Sequence, residues 1–340
     1  MSIVAAALAV VTLAGLAALV GSSSSQASTQ ASQATFKAAL ISDIGKFNDR
    51  SFNQSQKEGL TRAAKQLHIK PLALQSNQVS DYIPNLSQAV RAKSNLIIAA
   101  GFLLADATNT VAKKYPKIHF AITDYDAKSA PFSGRKNVMG LTYAANESGC
   151  LVGYLAAEMA KKQGGKQVIG AVGGLKIPPV DIWIAGYKYC AQKAVPGTTV
   201  QIDYSQDFVA ADKCKTVAEN MISQGAQVLF QVAGGCGLGT LKAAAAANIW
   251  GIGVDKDQYH DSARVLTSGV KRVDNGVYQA IQKTMSKKGF KGGGNLLFNL
   301  KNGGMSVGKI NPSVPKAYIT LMNTYKTNII KGKLHVPAKL

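Results

Sequence analysis

From residue 36 onward, short apolar runs alternate with longer stretches in which apolar positions recur three or four residues apart. The runs read as buried strands and the stretches as amphipathic helices. Strands are predicted over 36–44, 69–75, 96–100, 119–123 and 138–143, with helices over 51–67 and 81–92 and from Gly101 to Lys114. The rhythm then repeats: helix 150–162, strand 168–172, helix 181–194, strand 199–204, helix 211–224, strand 228–232, a glycine turn with a helix to Ala247, strands 250–254 and 265–268, and helix 276–287. Alternating strands and helices build parallel sheets with right-handed crossovers. Two successive sets predict an α/β protein of two doubly wound lobes.

Ligands of such sheets sit beyond the carboxyl ends of the strands. Those ends carry Asp43, Gly101-Phe102, Asp124, Gly173-Gly174, Gly234-Gly235 and Asp255, with Phe208 just past another. Two lobes across a cleft make either a two-domain enzyme or a clamshell receptor.

Residues 3–20 contain no charge and are mostly Ala, Val and Leu, and a Ser, Gln and Ala-rich stretch follows to residue 35. This reads as an export signal and flexible tether, with cleavage in the Ser/Ala-rich part, for example after Ala27. A retained membrane anchor is the alternative. Either way the folded part is expected outside the cytoplasm.

The 340 residues, 46% hydrophobic and 17% charged, suit two well-buried lobes and exclude a disordered chain. The net charge of +21 is spread along the chain, with short pairs such as Lys113-Lys114, Lys161-Lys162 and Lys287-Lys288. No aromatic-interleaved basic run accompanies it, so specific nucleic-acid binding is not expected. The four His are scattered, and neither HExxH nor CxxC occurs, so no metal site is expected. Gly235-x-Gly237 after a strand, with Asp255 twenty residues beyond Gly235, has the outline of a dinucleotide fingerprint. Thr240 stands where a third glycine is usual, and a tight strand-to-helix turn explains the glycines equally well.

The richest stretch is Asp43-Ile-Gly-Lys-Phe-Asn-Asp-Arg-Ser-Phe-Asn53. Ser51 is placed to cap the following helix. Phe52 offers a ring face to a planar ligand, and Asn53 both a donor and an acceptor. A capped loop with a packed aromatic is the plainer reading.

This stretch is similar to the opening motif of the basic membrane protein family of substrate-binding proteins for ABC importers, whose best-known members are purine nucleoside receptors. The resemblance recurs in Tyr154-Leu-Ala-Ala-Glu-Met, in Gly173-Gly174 with residues 178–187, in Phe230-Gln-Val-Ala-Gly-Gly-Cys-Gly-Leu-Gly239, in Gly253-Val-Asp-Lys-Asp-Gln258 and in Thr267-Ser-Gly-Val-Lys-Arg-Val273. It covers nearly all of residues 36–330. It implies a type I periplasmic-binding-protein-like fold with a hinge crossed three times, the first lobe formed by 36–142 plus about 256–290 and the second by about 143–255 plus about 291–340. It also turns the glycine loop into a ligand loop.

Carried over residue by residue, the resemblance implies that Phe52 and Phe208 sandwich a purine, that Asn53 and Asp124 hydrogen-bond the base edge, and that Asp43, Gly234, Asp255 and Lys271 hold the ribose hydroxyls. Phe102 and Trp183 are second-rank wall candidates. No catalytic residue, cofactor or metal is implied. The expected partners are a small-molecule ligand, a purine nucleoside, and a membrane ABC permease, with the protein itself a monomer on the periplasmic or cell-surface side. The alternatives are another small polar solute on the same fold, a sensory receptor, and a nucleoside-processing enzyme, which would need a general base or metal cluster.

Two features depart from the family. Its members in single-membrane bacteria are usually lipoproteins with Cys after a Leu-x-Gly triplet, whereas Ser22 follows Leu19-Val20-Gly21 here. The four Cys instead lie between residues 150 and 236. Export favours oxidation. Cys214 and Cys236 fall at the starts of helices of neighbouring strand-helix units, so a Cys214–Cys236 bond is predicted, and a second between Cys150 and Cys190. Four buried thiols are the alternative.

Overall fold

Strands buried on both faces need unbroken apolar runs, and the central strands have them. The computed structural model describes residues 35–286 and 289–340; the expected export signal, the tether up to residue 34 and the Lys287-Lys288 pair lie outside the described residues. In chain order the first half builds β1 (Lys37–Ser42), α1 (Phe52–Gln66), β2 (Lys70–Leu74), α2 (Tyr82–Arg91), β3 (Leu96–Ala100), α3 (Ala105–Lys114), β4 (His119–Thr123) and β5 (Val138–Tyr143). Then come α4 (Ala145–Gln163), β6 (Val168–Gly173), α5 (Pro178–Ala194), β7 (Thr199–Tyr204), α6 (Ala211–Ser223), β8 (Ala226–Val232), α7 (Gly237–Ala246), β9 (Trp250–Asp255) and β10 (Val265–Lys271). The chain ends with α8 (Val273–Met285), β11 (Asn295–Phe298), β12 (Met305–Val307) and α9 (Lys316–Ile330).

Two six-stranded sheets result, in the orders β11-β5-β4-β3-β1-β2 and β12-β10-β9-β8-β6-β7. Apart from the antiparallel β10–β12 pair, the paired strands run parallel. Each sheet contains the same doubly wound order, 2-1-3-4-5 within its own lobe. Every residue of β3 and β9 is buried, whereas no residue of the edge strands β2 and β7 is. Edge position is what lets β2 carry Pro71, which has no N–H to give a second neighbour.

The chain crosses between lobes after β5, after β10 and between β11 and β12, three crossings as the resemblance implies. The boundaries differ from the sequence-based division at two places. Residues 265–271, expected in the first lobe, form β10 beside β9 in the second sheet, with Ser268 opposite Gly253. Residues 295–298, expected in the second lobe, form β11 against β5 in the first. The first displacement has a clear cause. No helix lies between β9 and β10, so the sequence reads as a break between lobes there. The same helix-free connection joins β4 to β5 in the first lobe.

Helices α4 and α5 pack backbone to backbone. A Cβ at Gly153 would overlap the Tyr187 carbonyl, and one at Gly186 the Asn146 carbonyl, so only glycine permits this approach. A Cys150–Cys190 disulfide, Cα atoms 4.9 Å apart, joins the two helices. The second predicted bond, Cys214–Cys236, is also formed, at 5.5 Å. Among the described residues no helix is long and apolar enough to cross a membrane.

Candidate functional site

Strand order reverses in each sheet at its first and third strands, β1/β3 and β6/β8, and a doubly wound sheet opens its binding crevice at that reversal. Both crevices contribute to one pocket. Asp43 follows β1 and Gly101 follows β3, while Val232 ends β8 and Gly234 lies just beyond. The cavity between the lobes has a volume of about 70 Å³.

The lobes supply matched corners. Gly101 and Gly234, after equivalent strands, have φ of +126° and +55°. Asp124 and Asp255, at the ends of β4 and β9, have φ of +62° and +64°. The left-handed region is disfavoured for residues with a Cβ, and such conformations cluster at binding sites. Here they turn two carboxylates, one from each lobe, toward the same space.

The loop from β1 to α1 is organised by Asp49 rather than by Ser51. Asp49 Oδ1 accepts from the Ser51 and Gln54 N–H groups at 2.9 and 3.0 Å, and Oδ2 from the Asn53 N–H at 2.8 Å. A carboxylate there satisfies free donors at the helix start and complements its dipole. The predicted Ser51 cap is not made: Ser51 Oγ instead donates across the cleft to Asp255 Oδ2 at 2.9 Å. Asn53 Nδ2 donates to Asp43 Oδ1 (2.8 Å) and Asp49 Oδ2 (3.1 Å), leaving its buried Oδ1 without a partner in the protein. Gly45 N–H also donates to Asp43 Oδ1.

Four carboxylates, Asp43, Asp49, Asp124 and Asp255, line the pocket, and Lys271 is the single cation among the described lining residues. Lys271 ends β10 and is 2% exposed. Its Nζ lies 2.5 Å from Asp124 Oδ2, 5.1 Å from the Phe52 ring centre and 5.0 Å from that of Tyr143. Burial pushes Asp43 up to about 7, against hydrogen bonds from Gly45 and Asn53. It pushes Asp255 up to about 6, against Lys271 and Ser51. Asp124 is also raised by burial, with Lys271 opposing. The pocket is therefore rich in acceptors, short of cations, and hostile to an added negative charge.

Rings and aliphatic groups form the walls. Phe52 and Phe208, from opposite lobes, are both half-buried. The second-rank candidates are also at the wall. Phe102 stacks on Tyr125 at 5.1 Å, and Trp183, 1% exposed, packs edge-on against Phe230. All ten expected ligand-site positions thus line one pocket. Sequence reasoning missed Ile177, Pro179 and Val180, which line it from the start of α5. The Pro178-Pro179 pair marked that helix start, but nothing local showed that it faces the cleft.

Further ties cross the cleft at its rim. Arg50 pairs with Asp261 at 2.6 Å and Lys256 with Glu58 at 2.5 Å, and Gln258 Nε2 donates to the Arg50 carbonyl at 3.3 Å. No group of three or more His, Cys, Asp or Glu among the described residues is placed to hold a metal ion.

A family model described as "ABC transporter substrate-binding protein PnrA-like" matches residues 36–339. The ABC transporter nucleoside-binding protein BmpA of Lactococcus lactis subsp. cremoris is 36% identical over 98% of each chain. A Pyrococcus furiosus protein described as an uncharacterized lipoprotein is 32% identical, over 82% of this chain and 71% of its own. Among solved structures, an ABC transporter solute-binding protein from Aeropyrum pernix K1 superposes with a TM-score of 0.79 at 26% identity, covering 89% of this chain and 94% of its own.

Proposed function

The chain belongs to the PnrA-like family of ABC transporter substrate-binding proteins, and on that premise we propose that it closes around a purine nucleoside and delivers it to a membrane permease, without chemistry of its own. The observation that carries this reading is the convergence of Phe52 and Phe208 from opposite lobes on a pocket of carboxylates and one lysine. Two ring faces suit a planar base. Asn53 and Asp124 serve the base edge. Asp43, Asp255, Lys271 and the backbone at Gly234 serve the ribose, a diol being held well by carboxylate acceptors and an ammonium donor. The Lactococcus relative, named for nucleoside binding, supports the ligand class. The protein works as an exported monomer. The lipoprotein description of the Pyrococcus relative supports a tether at the membrane, although Ser22 stands where an acylated Cys would be expected.

Calorimetric titration with adenosine, guanosine, inosine, adenine and adenosine monophosphate tests the reading. The nucleosides should bind about 10- to 100-fold more tightly than adenine, because a ligand without the sugar leaves buried polar groups unpaired. The monophosphate should bind worst: the pocket carboxylates act within a few Å, whereas surface lysines are screened beyond about 8 Å. Tightest binding by the monophosphate would make the Lys271 region a phosphate site and end the nucleoside reading. Release of free base on incubation with inosine would make the protein an enzyme.

A further inference from the structure

The Cys214–Cys236 bond joins the two loops that place Phe208 and Gly234. Phe208 lies between β7 and α6, and Cys214 lies in the first turn of α6. Gly234 follows β8, and Cys236 immediately precedes α7 two residues later. Both cysteines are 0% exposed. Beside the covalent bond, the Cys236 N–H donates to the Phe208 carbonyl at 3.0 Å. Asp207, next to Phe208, accepts from the Val209 and Ala210 N–H groups at 2.7 and 3.0 Å and so fixes the start of α6. The ring itself lies over Gly174, where a Cβ would overlap it.

We infer that Cys214 and Cys236 are positioning residues for ligand binding: their disulfide holds the Phe208 ring and the Gly234 corner as one preformed wall of the cleft. A wall ordered before the ligand arrives spares binding the cost of ordering an aromatic side chain and its loop. The Cys150–Cys190 bond offers a natural contrast. It lies between α4 and α5, helices already in backbone contact, and Cys190 is seven residues from Trp183 along a continuous helix. Its removal should lower stability and leave the cleft in place.

The inference rests on the nucleoside reading only for its affinity arm, so two measurements are paired on the Cys214→Ala/Cys236→Ala and Cys150→Ala/Cys190→Ala proteins. Hydrogen exchange without ligand reads the wall directly. The amide of residue 236 should lose protection by about tenfold or more in the first protein beyond any loss in the second, reflecting freer local opening. Titration with adenosine should then show affinity weakened by about tenfold in the first protein, the scale of ordering one side chain, and unchanged in the second. In a Phe208→Ala background the Cys214/Cys236 change should cost less further affinity than it does in the parent protein, because only the Gly234 corner is then left to position.

Equal protection at residue 236 in the two proteins would overturn the inference whatever adenosine does. Lost protection with unchanged adenosine affinity would overturn the functional half. Phe208→Ala with undiminished affinity would remove the wall from the site and overturn both that half and the clamp in the nucleoside reading. Should the double alanine protein not fold, Cys214→Ala with Cys236→Val, which fills more of the vacated volume, carries the same measurements.

Discussion

Asp43 should lower the protein's stability at neutral and alkaline pH, and removing its charge should stabilise the fold. Burial raises its pKa from an ordinary value of 3.8 to about 7. A carboxyl with a raised folded-state pKa binds more protons folded than unfolded between those two values. Stability therefore falls as pH rises through that window, and the penalty is fully present above about pH 7. At 1.36 kcal/mol per pH unit of displacement, the penalty is at most roughly 4 kcal/mol. Asp43→Asn isolates it. Asp43 accepts from Gly45 and Asn53 through Oδ1 alone, and an amide oxygen can accept both bonds. The charge beside Asp49 and Asp124 disappears. Urea unfolding without ligand should show the variant more stable by about 2–4 kcal/mol at pH 8 and by little at pH 4. Nucleoside affinity should fall in the same protein, an instance of a site retained for function against stability. Equal or lower stability of Asp43→Asn at pH 8, or a gain identical at both pH values, would refute the reasoning.

Two further outcomes follow from the same pocket. Phe52→Ala should weaken adenosine binding by about 5- to 150-fold, since a stacked base contributes roughly 1–3 kcal/mol, with circular dichroism unchanged; undiminished affinity in calorimetry would take Phe52 out of the site. Lys271→Met leaves Asp124 buried without its cation and should cost about 3–5 kcal/mol at pH 8, the loss shrinking at lower pH as Asp124 takes a proton; a pH-independent loss in urea unfolding would show that packing against Phe52 and Tyr143, not charge, is what Lys271 contributes.

The alternation of apolar runs and amphipathic stretches determined the two doubly wound lobes, because strands covered on both faces must be apolar throughout, as β3 and β9 are. Strand-end positions such as Asp43, Asp124, Gly234 and Asp255 were legible for the same reason: the fold sends the carboxyl ends of its strands to the ligand. Phe52 and Phe208 were each legible as candidates, but pairing them across the cleft needed the resemblance carried by the Asp43-to-Asn53 motif and the glycine loop. Tertiary structure alone decided what each of these side chains touches. Ser51 has the composition of a helix cap but bonds to Asp255, some two hundred residues away, while Asp49 takes the cap. The placement of residues 265–271 in the second sheet was not legible, because a helix-free connection looks the same in sequence whether it links neighbouring strands or crosses a hinge. The raised pKa values of Asp43 and Asp255 have no local signature either. They come from burial between lobes, which Lys271 opposes at Asp255, and burial of that kind exists only once distant segments have come together.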